Sequence, residues 1–178
     1  MLKTRYYFLL FAGFVGYMFI GGGSFVYGQK TSSDSSGDFA WGYLGFGVGS
    51  LGFEAGGFSA GYGFCSQIGK NIFSFQLLYI EEKSSEDYPF IGIGDIGILY
   101  GRIAKASYGF ASISAGISLV QGDRRYGKVF FTVGIPVEAQ LFWTPLAFFG
   151  IGLYGFANLN IEKSFVGALL CIQFGTLR

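Results

Sequence analysis

Two carboxylates stand out in the chain, because they lie inside apolar stretches rather than in turns: Asp95 in "IGIGDIGILYG" and Glu138 in "VFFTVGIPVEAQLF". A pair of carboxyl groups could do acid–base work on a glycosidic bond. That chemistry needs the two groups ~5–9.5 Å apart across a cleft the size of a sugar. A structural role is the competing reading, in which the two acids are held in a hydrogen-bonded network. Gln76, Gln140 and Gln173 are placed to complete that network, and Lys128 to neutralise Asp95, because a buried charge requires such partners. We take the structural reading and expect no catalytic residue.

The rest of the chemical inventory agrees. The chain has no histidine, so the commonest general base and metal ligand is missing. It has two cysteines, Cys65 and Cys171, too few and too far apart for a zinc site, so no metal is expected. Glycine-rich runs such as "GYLGFGVGSLG" look like phosphate loops as text. No strand-to-helix context follows them, so no nucleotide or other cofactor is expected. The net charge is +1, with the basic residues scattered, and this gives no footprint for nucleic acid.

What positions these residues is a pattern of alternation. In "ASISAGISLVQGD", Ile113, Ala115, Ile117 and Leu119 share one parity, and Ser112, Ser114, Gly116 and Ser118 the other. Period 2 belongs to strands, whose successive side chains point to opposite faces. Phe73, Phe75, Leu77 and Tyr79 alternate likewise with Ser74 and Gln76, and Val133, Ile135 and Val137 with Gly134 and Glu138. Turn signals recur near residues 52, 69, 85, 105, 124, 144 and 161, which separates eight segments in an up-and-down arrangement. Pro136 cannot donate to a ladder, so a bulge is expected in the sixth strand.

Length and charge placement decide which solvent the apolar parity meets. A strand of about 12 residues at ~3.3 Å each, tilted ~45°, rises about 28 Å, the thickness of a bilayer's hydrocarbon core. Charged residues are 13% of the chain and glycines number 31; most charges after residue 39 fall in or beside turns. The expected fold is an all-β, eight-stranded antiparallel up-and-down transmembrane β-barrel, because a sheet in lipid must close on itself. Its apolar parity faces lipid and its Ser/Gly parity a lumen that side chains fill. Trp41 and Trp143 are assigned to an aromatic girdle at the rim bearing the chain ends. Cys65 and Cys171, on the second and eighth strands, lie two ladder spacings apart, about 10 Å, beyond the ~7 Å Cα limit of a disulfide; two free thiols are expected.

The N-terminus has Lys3 and Arg5, an apolar run from Tyr6 to Ile20, then small residues to Gly28. This is the pattern of a cleaved secretory signal. Residues 1–28 are therefore read as a signal peptide, the polar 29–38 as a flexible lead-in, and 39–178 as the barrel.

In strand number, alternation and leader, residues 39–178 resemble the small eight-stranded outer-membrane barrels of the OmpX and OmpA-transmembrane-domain type. A glycine-rich barrel that closes in "QFGTLR" is similar to outer-membrane barrels of Bacteroidota-type Gram-negative bacteria. The resemblance implies an outer-membrane location, contact with membrane lipids, the barrel-assembly machinery as a partner during biogenesis, and a monomer. The function this implies is non-enzymatic, structural or surface-interacting. Known acyl-transfer barrels use histidine with serine, which argues against a lipid-modifying enzyme. A small pore and a polytopic helical protein also compete with this reading. Against the helical protein, no mature stretch runs the 18 or more residues that a spanning helix would need.

Overall fold

The computed structural model describes residues 39–52, 55–82, 90–124 and 129–177. The segments read as signal peptide and lead-in, and Lys128, lie outside the described residues. Eight strands follow one another: β1 (Phe39–Leu51), β2 (Ala55–Ile68), β3 (Asn71–Glu82), β4 (Phe90–Ala106), β5 (Gly109–Arg124), β6 (Val129–Trp143), β7 (Phe149–Asn160) and β8 (Phe165–Gly175). Each pairs antiparallel with the next, and β1 pairs with β8 from Trp41↔Gly175 to Leu51↔Phe165, which closes the barrel. Closure leaves no edge strand with unpaired backbone groups.

The strands run from 11 to 17 residues, against ~5–6 in ordinary globular sheets. The two faces separate as the alternation requires. Ile113 is 61% exposed and Ile117 69%, while Ser114 between them is 2%. Val133 and Ile135 of β6 are likewise outward, and Gly134, Pro136 and Glu138 are buried. Every strand contributes to an outer apolar belt: Phe46, Phe58, Phe73, Ile98, Ile117, Val133, Leu153 and Leu170 are exposed in turn around the circumference. Leu77 stands on an outward row and is buried.

Along the barrel axis, the inward side chains form three tiers. At the end that holds the barrel's own termini, the start of β1 and the finish of β8, Trp41, Ile72, Ile103, Phe110, Phe142 and Leu177 pack together. At the opposite end lie Leu51, Ile80, Ile93, Val120 and Phe165. Most of the buried polar residues, among them Gln76, Asp95, Glu138 and Gln140, occupy the middle, while Gln67 and Thr144 lie beside turns. The interior glycines give the large side chains room. A Cβ on Gly61 would lie 2.4 Å from Leu78, and one on Gly63 would lie 2.6 Å from the Tyr43 ring. Real Cβ contacts are longer than this, so bulky interior residues lie flat across the glycine positions of neighbouring strands.

Three local expectations are corrected. Pro136 makes no bulge. The β5–β6 register is the same at Ala115↔Val137 and Ser118↔Gly134, and only the pairs between them lapse. On its other side, Pro136 pairs with Asn158 in an unbroken β7 ladder. A proline on a strand flanked on both sides thus sits in a two-residue gap in one ladder, since the missing N–H removes a rung without adding a residue. The irregularity lies in β4 instead, between Phe90 and Gly92. The fourth turn is at Ser107–Tyr108 rather than near 105, because β4 continues through Lys105 and Ala106.

Trp41 is the third. Instead of joining an outer girdle, it is 1% exposed and points inward, with its ring 5.0 Å from that of Phe110, which stacks in turn on Phe142. Parity decides: Trp41 shares its row with the buried Tyr43, and an indole that fills the mouth of the barrel buries more area than one at the rim. Trp143 does project outward at that end.

Candidate functional site

The middle tier is the only place among the described residues where titratable and hydroxyl side chains converge in the interior. It is assembled from five strands. β3 contributes Ser74 and Gln76, β4 Asp95, β5 Ser118, β6 Glu138 and Gln140, and β7 Tyr154 and Asn158, each on the inward parity of its strand.

Glu138 is the better-satisfied acid. Its Oε1 accepts from Ser74 Oγ at 2.6 Å and from Gln140 Nε2 at 3.1 Å. Its Oε2 lies 2.9 Å from Tyr154 Oη. Tyr154 Oη also lies 2.5 Å from Gln76 Oε1. A phenol has one proton, so it donates to one of these oxygens at a time. Gln76 then donates through Nε2 to Asp95 Oδ2 at 2.8 Å, and Asn158 Nδ2 donates to the same oxygen at 3.1 Å and to Ser118 Oγ at 2.8 Å. The two carboxyl groups are therefore joined through one amide and one phenol. The Tyr154 ring is fixed from the side by Tyr43, with centroids 4.9 Å apart.

Of the residues singled out in the sequence, the structure brings Gln76, Asp95, Glu138 and Gln140 into one network. Gln173 is buried at 0% exposure, but neither end of its amide meets a partner among the described residues. Asp95 Oδ1 is likewise unpartnered. Lys128, expected to neutralise Asp95, lies outside the described residues. The members that sequence reasoning missed are Ser74, Ser118, Tyr154 and Asn158. The signal for the last two was the alternation Gly150, Gly152, Tyr154, Phe156, Asn158 in a stretch whose overall hydropathy masks it.

The chemistry of this arrangement is inward-looking. Both oxygens of Glu138 are engaged by the barrel's own side chains, and the group is 1% exposed, whereas a base must lie within reach of a substrate's proton. Charge-assisted hydrogen bonds in a medium of low dielectric are strong when complete, so the network ties five strands together across the interior.

The cysteines sit beside it. Gln140 Nε2 donates to Cys65 Sγ at 3.6 Å, and that thiol points to Ser74 Oγ at 3.7 Å. Both cysteines are free and buried. Cys65 pairs with Trp41 and Cys171 with Gly45, so strand β1 and a four-residue offset along it separate them. Neither thiol should react with a water-soluble maleimide in the folded barrel, and both should react once it is unfolded by heating in detergent; mass spectrometry of the adducts checks this. Labelling of the folded form at the unfolded rate would mean that solvent reaches the middle tier.

No family model matches the chain, and no curated protein does. Among solved structures, Neisserial surface protein A (NspA) superposes with a TM-score of 0.59 at 13% identity, over 82% of this chain and 100% of that one. Ail, the attachment invasion locus protein of Yersinia pestis, gives 0.47 at 10% identity, over 78% of this chain and 95% of that one. A de novo designed transmembrane β-barrel gives 0.44 at 11% identity, over 78% and 95%. With its closed ring of eight antiparallel strands, the chain has the fold of the small eight-stranded outer-membrane β-barrels.

Proposed function

We propose that this chain is an integral outer-membrane β-barrel protein, non-enzymatic, with an interior filled by its own side chains and a structural or surface-interaction role. The observation that carries this is inverted polarity. Isoleucine, valine, leucine and phenylalanine cover the perimeter of all eight strands, while Asp95, Glu138, Gln76, Gln140 and Gln173 are buried. Soluble monomers rarely expose an apolar patch beyond a few hundred Å²; a belt this continuous is stable only where the surroundings are hydrocarbon.

The filled interior supports a barrel that does not conduct. The Trp41–Phe110–Phe142 tier spans the end bearing the termini, and the tail folds over it: Thr176 and Leu177 donate backbone bonds to Ala40 and Ala147. The engaged carboxylate of Glu138 and the enclosure of Asp95, 1% exposed, support a structural role over catalysis. An N-terminal secretory signal, removed on export, completes this reading.

The test has two readings from one preparation. The full-length gene product should fractionate with outer membranes and migrate faster on a gel before boiling than after. In planar bilayers it should give little or no conductance, as expected for eight strands. Recovery in the soluble fraction without a heat-dependent shift would overturn the proposal as a whole; steady single-channel steps would overturn the filled interior alone.

A further inference from the structure

The two ends of the barrel differ in charge. At the end bearing the termini, the described charged side chains are Lys70 in the β2–β3 turn, Arg102 and Lys105, with no described carboxylate among them. The described acids outside the interior, Glu81, Asp123 and Glu162, all lie at the opposite end. Lys105 is engaged, with its ammonium 3.1 Å from the centroid of the Phe39 ring and 3.5 Å from the Leu177 carbonyl oxygen. Arg102 is different. It stands on the outward row of β4, with Ile98 and Tyr100, and its side chain is exposed on the perimeter.

A cation on that row needs a reason. Its Cα lies about 11 Å in from the Ser107–Tyr108 turn, at ~3.3 Å per residue and a tilt of ~45°. From there the long side chain can reach towards the headgroup level while its stem stays in hydrocarbon. Beside it the belt is indented. Ala104 and Ala111 face each other across the β4–β5 ladder, next to the pair Arg102↔Ile113. Residues 102–104 and 111–113 line an open groove of about 320 Å³. Leu141, paired with Ala111 on β6, continues the exposed apolar surface beside it.

We propose that this groove binds one anionic phospholipid of the leaflet at the terminus-bearing end, with an acyl chain lying over Ala104 and Ala111 and the headgroup phosphate on the Arg102 guanidinium. The inference rests on the membrane reading above. Its own content is the pairing of an apolar groove with a guanidinium at its edge, at an end where the described charges are all positive. A guanidinium matches a phosphate bidentately.

The experiment uses the full-length protein folded into vesicles of equal parts phosphatidylcholine and phosphatidylglycerol, released in mild detergent and weighed by native mass spectrometry. The wild type should retain one phosphatidylglycerol in preference to phosphatidylcholine. Arg102→Gln should reduce that retention about fivefold, the scale of one basic residue at an anionic lipid surface. Ala111→Phe, which fills the groove and leaves the charge, should reduce it as well. Both variants should keep the heat-dependent gel shift. Equal retention of the two lipids by the wild type, or retention unchanged in both variants, would overturn the site. Loss of the gel shift in the wild type would instead count against the membrane reading.

Discussion

Glu138→Ala should be the most damaging single substitution in the interior, at about 3 kcal/mol or more of folding free energy. Three donors, Ser74 Oγ, Gln140 Nε2 and Tyr154 Oη, converge on this carboxylate. Removing it strands Ser74 Oγ and leaves Gln140 Nε2 with only the Cys65 thiol, while Tyr154 Oη keeps Gln76 Oε1; the lost bonds cost ~1–3 kcal/mol each before any relaxation. Glu138→Gln keeps an acceptor oxygen in place and should lose about 1 kcal/mol. Asp95→Ala orphans two amide donors, from Gln76 and Asn158, and Asp95 already carries one unpartnered oxygen. Its cost should be smaller, about 2 kcal/mol. Urea titration of the barrel in vesicles, followed by tryptophan fluorescence, gives all three values. The order Glu138→Ala, then Asp95→Ala, then Glu138→Gln is the informative result. If Glu138→Ala unfolded at the wild-type midpoint, the network would not hold the strands together.

The second large effect belongs to the perimeter. Ile117 lies near the middle of β5 and is 69% exposed. Ile117→Arg should destabilise the barrel in a bilayer by about 2–4 kcal/mol, the cost of a cation at the midplane of a lipid-facing strand. The same change at Leu146, exposed in the β6–β7 connection, should cost only ~0–1 kcal/mol, because the penalty fades towards the interface. The contrast matters more than either value. On a water-facing surface both arginines would be nearly neutral. Equilibrium folding into vesicles measures the pair, and equal costs at the two positions would mean that no hydrocarbon surrounds β5.

The strand plan was legible because some segments alternate without interruption. Over residues 111–119 of β5 and 133–141 of β6, each apolar residue is separated from the next by a small or polar one, and both rows lie on the face that parity assigns. Legibility failed where glycine occupies both parities. In "WGYLGFGVG" the residues flanking Trp41 do not say which row is interior, and only closure against β8 and the contact with Phe110 place the indole inside. Lys105 disguised the end of β4 for a related reason. A lysine normally marks a turn, but here its ammonium rests on the Phe39 ring at the mouth of the barrel.

The interior network was half legible. A carboxylate or glutamine in the middle of a strand is unusual enough to stand out, and Gln76, Asp95, Glu138 and Gln140 do. Which of them meet depends on the register between β3, β4, β6 and β7, and on the curvature that brings non-adjacent strands face to face. Neither is written in any local run of residues. Tyr154 illustrates this. It is one of 12 tyrosines, and nothing in its immediate neighbours distinguishes it from one at a membrane interface. Pro136 carries the opposite lesson. Its missing donor is plain in the sequence, but a ladder can lose a rung without a change of register.

Successive side chains of one strand meet two different environments, and spin labels test this residue by residue. They are placed singly at residues 111 to 119 of β5, in the protein folded into vesicles. Relaxation by oxygen, which dissolves in lipid, should be strong at 111, 113, 115, 117 and 119 and weak at 112, 114, 116 and 118. A water-soluble nickel chelate should relax neither set near the middle of the strand. Equal relaxation by the chelate along the whole series, or oxygen access that peaks on the serine row, would contradict the two environments.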